Sequence, residues 1–442
     1  MPVILDTGSS DLWIASTECE SATKAGVPTY NATLSKTFTN STLPFSLSYL
    51  AGAVRGAVAW DTVIFGPYAV ARQALAVVHT ADALDLARVR ASGILGLGLG
   101  IADASAAGAG APLVENVLRA TGLGTDDPAT RFFGIRLART DEPGAESTFA
   151  LGEHDPALAS RAGEVVQLAV AQPYDYWKLR LAHLSVSLTG DGGQNVQFAL
   201  TPSRIDGGRS IAVLDTGTTL ALGPSADVTR FYELLGDAAR RSAASGGLWQ
   251  VRCTRRVALA FGFAIDGDGD AHEHVVEVPV HPLDVSWGGE RVLGWCLGGL
   301  QESDRVVSGD WLLGDTFLRN AYVTHYPTAS PPMLGLLGLT NATTAALEFT
   351  QQRGVDPDAP SALPPGVAAL ARAAPSPSIT HADRLTWPLL AIALGVGVLV
   401  GAGAVLVYVL RSQDRDGEYR GRGRFIRARM RMRKKSFASE DY

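Results

Sequence analysis

Two segments far apart in this chain carry nearly the same text: Val3-Ile4-Leu5-Asp6-Thr7-Gly8-Ser9-Ser10 and Ala212-Val213-Leu214-Asp215-Thr216-Gly217-Thr218-Thr219. Each is a β-prone apolar run followed by an acid, a threonine, a glycine and two hydroxyl side chains in the same order. An apolar run that meets glycine and small hydroxyl residues reads as a strand ending in a turn. One Asp-Thr-Gly would be an ordinary aspartate turn. Its recurrence inside so long a frame implies a duplicated lobe, with one acidic turn in each half. Between the echoes, residues 57–65 and 251–263 read as strands bounded by glycine or proline, and helical patterns are confined to 112–121 and 225–240. A mostly β, two-lobed architecture follows.

The C-terminal end has different physics. Residues 387–410, WPLLAIALGVGVLVGAGAVLVYVL, hold no charge, and about 20 apolar residues suffice to cross the hydrocarbon core of a bilayer as a helix. A transmembrane helix is predicted there. Arg411, Arg415, Arg420, Arg422, Arg424 and Arg427 follow directly, and basic residues beside a span favour the cytoplasmic side. The net charge of −6 conceals the same asymmetry: residues 1–386 carry 27 Lys and Arg against 39 Asp and Glu, whereas 411–442 carry 11 against 5. The acidic body is therefore expected to be lumenal or extracellular, in the secretory pathway, a vacuole or at the cell surface. A glycolipid-anchor signal would end on its apolar run, and here a basic tail follows. That tail is expected to meet anionic lipid at the cytoplasmic leaflet, not nucleic acid. Residues 351–386 contain six prolines and no sustained periodicity, the composition of a stalk. The expected organisation is an N-terminal lobe at 1–163, a C-terminal lobe at 164–350, the stalk at 351–386, the span at 387–410 and the tail at 411–442.

Three sequons, beginning at Asn31, Asn40 and Asn341, fall on the expected outer side and are candidate glycosylation sites. Cysteines stand at 19, 253 and 296, which in an oxidising compartment permits one bridge and leaves one thiol.

Two carboxyls held within hydrogen-bonding reach cannot both ionise readily, so the pair shares a proton and titrates as one unit. One member can then activate water while the other protonates or polarises a carbonyl. Asp6 and Asp215 are the candidates. Gly8 and Gly217 let backbone approach closely, and the hydroxyls of Ser9 and Thr218 can hydrogen-bond the carboxylates. Thr7 and Thr216 are placed to lock the turns together.

These residues resemble the pepsin-like aspartic peptidases over roughly 3–340, in a fungal-type, membrane-anchored form. Asp6 through Ile14, DTGSSDLWI, is similar to the first signature of that family, and Leu214 through Thr219, LDTGTT, to the second. The resemblance implies a bilobal β fold with a cleft between the lobes. It also implies hydrolysis of protein or peptide substrates, best in acid, by Asp6 and Asp215. Phe45 through Gly52, FSLSYLAG, resembles the hairpin flap that closes over substrate. Tyr49 would be its tyrosine, Gly52 its turn and Trp13 a hydrogen-bonding neighbour. Ser92 through Gly98 and Trp311 through Arg319 resemble the glycine-rich segments of the two lobes. Cys253 and Cys296 fall where the family places a second-lobe disulfide, leaving Cys19 as the free thiol.

Two departures stand out. The family places a further strand, a propeptide and a signal ahead of its first Asp-Thr-Gly, whereas Met1 lies five residues before Asp6; an upstream segment is expected. The flap reads Tyr-Leu-Ala-Gly, so it lacks a side-chain hydroxyl that could touch substrate. With both aspartates in one chain, a homodimer is not required and a monomer is expected. A pepsin-fold membrane protein that binds peptides or other ligands without cleaving them is the alternative.

Other chemistries fit less well. Asp266-Gly267-Asp268-Gly269-Asp270 with Glu277 imitates part of a calcium loop, but Ala271 stands where the sharp turn needs glycine. A hairpin tip is expected there. His272 and His274 have no further ligand at zinc spacing, and no Gly-x-Ser-x-Gly surrounds the turns. Neither metal nor cofactor is expected.

Overall fold

The computed structural model describes residues 1–49, 52–99, 109–120, 131–139, 145–187, 195–265, 274–288, 294–355, 406–407 and 426–427. The fold is mostly β and bilobal. In the first half, Val3–Asp6 runs parallel to Gly93–Gly96, with Asp6 opposite Gly96, and Leu12–Ala15 lies antiparallel to that second strand. Tyr68–Asp82, Ala53–Phe65 and Thr39–Ser48 continue the same sheet outward. The second half repeats the core of this arrangement. Ile211–Leu214 runs parallel to Trp311–Leu313, and Ala221–Gly223 lies antiparallel to it. Both acidic turns thus leave the ends of short central strands that are buried on both faces, the position in which a continuous apolar run is required.

A third sheet is shared between the halves. Val166–Ala169, Met333–Gly338, Ala321–Tyr326, Phe133–Arg136 and Thr148–Leu151 lie side by side in that order. The division expected at 163 and 164 therefore falls between strands that end in one sheet. Phe133 sits at its centre, stacked on His325 at 4.4 Å and meeting Trp177 edge-on at 6.1 Å. Burial of such aromatic side chains contributes roughly 1.5–3 kcal/mol each. His325 is buried among them, and desolvation pushes its imidazole down to about 3, so it stays neutral in acid.

Several sequence expectations are revised. The apolar stretch 251–263 is two strands, Leu248–Arg252 and Ala258–Ile265, separated where Cys253 bridges to Cys296. The helix expected over 225–240 is Ser225–Leu235: Gly236 takes a positive φ of 56°, and Ala239–Ser242 joins a four-stranded sheet. Residues 351–353 belong to the helix Ala342–Arg353, not to the stalk. Among the described residues no helix is long and apolar enough to cross a membrane. The run 387–410 lies outside them except for Leu406–Val407, which pair with Ile4 and Val3. Residues 356–386 of the stalk, most of the basic tail, the acidic loop 266–270 and His272 also lie outside. His274 is exposed.

Behind the second turn, a buried ionic cluster carries a pH dependence. Asp315 accepts from Arg319 Nη2 at 3.3 Å, while Asp284 meets Arg139 at 2.7 Å and Arg319 at 3.7 Å. Burial, helped by the charge of Asp284 and opposed by Arg319, pushes the Asp315 carboxyl up to about 7. The folded chain thus keeps a proton that the unfolded chain releases near pH ~4. The corresponding stability is complete below that pH and is lost as pH rises through about 7. Asp315→Asn, neutral throughout, is expected to lose less Tm than the unsubstituted chain between pH ~4 and ~7.5. Equal losses by calorimetry contradict this assignment.

Candidate active site

The two Asp-Thr-Gly turns meet face to face. Thr7 N–H donates to Thr216 Oγ1 and Thr216 N–H donates to Thr7 Oγ1, both at 3.1 Å. Each hydroxyl then donates onward across the junction, Thr7 Oγ1 to Leu214 O at 3.0 Å and Thr216 Oγ1 to Leu5 O at 2.7 Å. Both threonines are buried. A hydroxyl can donate once and accept as well, so two threonines satisfy two N–H groups and two carbonyls that the strand ends would leave without partners.

This lock brings Asp6 and Asp215 side by side, 5% and 1% exposed. Asp6 accepts from Gly8 N–H at 2.8 Å and from the Ser9 hydroxyl at 2.5 Å. Asp215 accepts from Gly217 N–H at 2.8 Å and from the Thr218 hydroxyl. The glycines are dictated by space: a Cβ at Gly8 would lie 2.6 Å from Asp215 Oδ1, and one at Gly217 would lie 2.6 Å from Asp6 Oδ1. Only a residue without a side chain lets each turn approach the opposite carboxyl. Burial raises the pKa of Asp215 well above the ordinary carboxylate value. The charge of Asp6 and a carboxyl–carboxyl hydrogen bond raise it further, against the Thr218 and Gly217 bonds. The pair therefore retains a proton where isolated carboxyls would have lost theirs.

Beside the pair, Trp13 Nε1–H donates to Tyr49 Oη at 2.7 Å. Tyr49 follows directly on the strand Thr39–Ser48 of a hairpin completed by Ala53–Phe65, and its N–H donates to Gly52 O at 2.9 Å across the turn. Gly52 has a φ of 101°, which a side chain would strain. Leu50 and Ala51, at the tip, lie outside the described residues. Burial and the charge of Asp6 hold the Tyr49 phenol protonated, its pKa raised.

The remaining candidates lie elsewhere. The disulfide Cys253–Cys296 closes the small sheet of the second half, while Cys19 is buried and unbridged. Asn31 Oδ1 accepts from Thr33 N–H, Asn40 Oδ1 from Thr42 N–H and Asn341 Oδ1 from Thr344 N–H, each at 3.0 Å. Residues that the motifs did not indicate also reach the junction. Trp177 Nε1–H donates to Leu97 O at 2.8 Å, from the second half to the first, and Tyr176 precedes it. Their only sequence signal was an aromatic pair after Pro173.

A family model described as eukaryotic aspartyl protease matches residues 1–331. The chain is 31% identical over 325 residues to a pregnancy-associated glycoprotein of Equus caballus, covering 72% of each chain. It is 26% identical over 323 residues to chymosin of Bos taurus, covering 72% of this chain and 73% of that one. To the major aspartyl peptidase 1 of Cryptococcus neoformans var. grubii it is 26% identical over 331 residues, covering 72% and 62%. With two acidic turns locked together and this match, the chain belongs to the eukaryotic aspartyl protease family. It is an aspartic endopeptidase, a hydrolase of peptide bonds.

The lock can be tested apart from the chemistry. Thr216→Val removes the Oγ1 that serves both Thr7 N–H and Leu5 O, and stranding buried polar groups costs about 1–3 kcal/mol each. Denaturant unfolding is expected to show a loss in that range, and a loss below about 0.5 kcal/mol, typical of a surface change, contradicts the role of the lock.

Proposed function

We propose that Asp6 and Asp215 are the residues at which this endopeptidase hydrolyses its substrates, by acid-base activation of one water between them. The observation that carries the reading is the pair itself: two carboxyls held together by reciprocal threonine bonds, with the pKa of Asp215 raised by burial and by Asp6. In this mechanism the charged member of the pair takes a proton from the water as it attacks the peptide carbon. The protonated member donates toward the carbonyl oxygen, so no full oxyanion develops. The tetrahedral adduct collapses with a proton delivered to the leaving amine. Thr7 and Thr216 fix the spacing of the pair. Gly8, Ser9, Gly217 and Thr218 fix its orientation by donating to the outer and inner carboxyl oxygens. Tyr49, oriented by Trp13 and carried on a turn at Gly52, closes the substrate side. Extended protein or peptide substrates are the partners, and the working unit is a monomer with no cofactor.

Around this centre we assign a single-pass, membrane-anchored protease of fungal type, its two lobes outside the cytoplasm and its basic tail within, against anionic lipid. The uncharged run 387–410, the arginines after it and the three sequons support that topology, whereas the pairing of Leu406–Val407 with Ile4 and Val3, and of Ile426–Arg427 with Phe149 and Thr148, runs against it.

Cleavage of a denatured protein by the full-length chain near pH ~4 tests the chemistry. Asp6→Asn and Asp215→Asn are each expected to reduce kcat by at least about 10³-fold at unchanged Tm. Folded, substrate-binding protein that never cleaves would move the assignment to a binding protein. For the topology, membranes from expressing cells are extracted with alkaline carbonate and treated with a glycosidase. The chain is expected to stay in the pellet and to shift in mass; release into the supernatant contradicts the anchor.

A further inference from the structure

Beside the aspartate pair lies a loop that none of the motifs predicted. Residues 171–178 form a closed excursion in which Ala171 N–H donates to Lys178 O at 2.9 Å and Asp175 N–H donates to Pro173 O at 2.9 Å. The strand that follows, Lys178–Ser187, runs antiparallel to Ile211–Leu214, with Lys178 opposite Val213. Leu214 N–H donates to Trp177 O at 3.3 Å. That bond places Tyr176 and Asp215 each one residue beyond a bonded position, on the two chain segments that meet at the aspartate pair. Tyr176 is half-buried, and its phenol pKa is raised by burial first and then by the charges of Asp175, Asp6 and Asp215.

What holds this loop is an ammonium group inside the protein. Lys178 is 0% exposed. Its Nζ meets the Asp175 carboxylate within the loop and donates to Ser308 O at 3.2 Å in the loop 303–310. Ser308 adopts a left-handed φ of 57°, uncommon for a residue with a side chain. A buried charge is tolerated only when paired and hydrogen-bonded, and here both partners belong to loops. On one side, Trp177 ties the excursion to the first half through Leu97 O; on the other, Lys178 ties it to 303–310.

We propose that Lys178 is a positioning residue for peptide hydrolysis: its buried ammonium latches the loop 171–177 to the loop 303–310 so that Tyr176 forms a fixed wall beside Asp215, against which a substrate side chain packs. Lys178 itself touches no reacting atom. Its removal loosens a wall and so acts on substrate binding, not on the hydrolytic step. This rests on the peptidase reading above, and the test separates the two.

The experiment is a double-mutant cycle on the full-length chain. The kcat and KM for a peptide cleaved by the unsubstituted protein are measured for Lys178→Met, Tyr176→Ala and the pair. Lys178→Met is expected to raise KM about tenfold with kcat held within about twofold, and to raise it less than about twofold when Tyr176 is already alanine. Lys178→Arg, which keeps the charge, is expected to recover part of the loss. Should Lys178→Met fail to accumulate, Asp175→Asn breaks the same latch and is expected to show the same dependence on Tyr176. The same factor in both Tyr176 backgrounds, an unchanged KM, or a fall in kcat that tracks Tm overturns the proposal. An unsubstituted chain that cleaves no peptide at all instead overturns the peptidase reading.

Discussion

Four hydrogen bonds between Thr7 and Thr216 and the strand ends beside them hold the site together. They join residues 209 positions apart in the chain, so the two lobes are defined relative to one another at the one place where a fraction of an ångström matters. Each bond contributes a modest net ~1 kcal/mol, but leaving its groups unpaired in a buried junction costs more. The lock is thus nearly all-or-none. The shared sheet containing Phe133 and His325, with Trp177 reaching across to Leu97, provides the apolar support that keeps water out of it.

Electrostatics follow from that geometry. With the turns locked, each carboxyl has one N–H and one hydroxyl of its own turn and, on the other side, the opposite carboxyl. The donors stabilise charge; the neighbour opposes it. Because the first effect is divided between two turns and the second is shared, one proton on the pair is the favoured state over a range of pH. The surroundings suit acid. Asp315 is neutral below about 7, and His325 is neutral above about 3, so neither adds a charge to the buried junction in mildly acidic solution.

How much of this the sequence carried depended on range. The carboxyl partners were legible because Gly8, Ser9, Gly217 and Thr218 lie two and three residues from the acids they serve, inside the repeated segment. The mostly β bilobal fold followed from the repeat, and the Cys253–Cys296 bridge from the family resemblance. Long-range register was not legible. Nothing local to Tyr176 states that Lys178 will pair with Val213, and Lys178 alone reads as a surface charge. Likewise the stretch 251–263 looked continuous because its break is made by a disulfide partner and the buried Arg255, not by a glycine or proline. The shared sheet was not legible because Phe133–Arg136, besides its nearby partner Thr148–Leu151, pairs with the distant Ala321–Tyr326.

The most direct test of the shared-proton site is the pH dependence of kcat/KM for the full-length chain on one peptide, from about pH 2 to 8, since this profile reports the groups of the free enzyme. The raised pKa of Asp215 requires a rate that falls as pH rises and that proton is lost, with a second fall at the acid end as the pair becomes fully protonated. A bell with its maximum in acid is the expected result. A rate that stays flat or climbs above neutrality contradicts the one-proton pair.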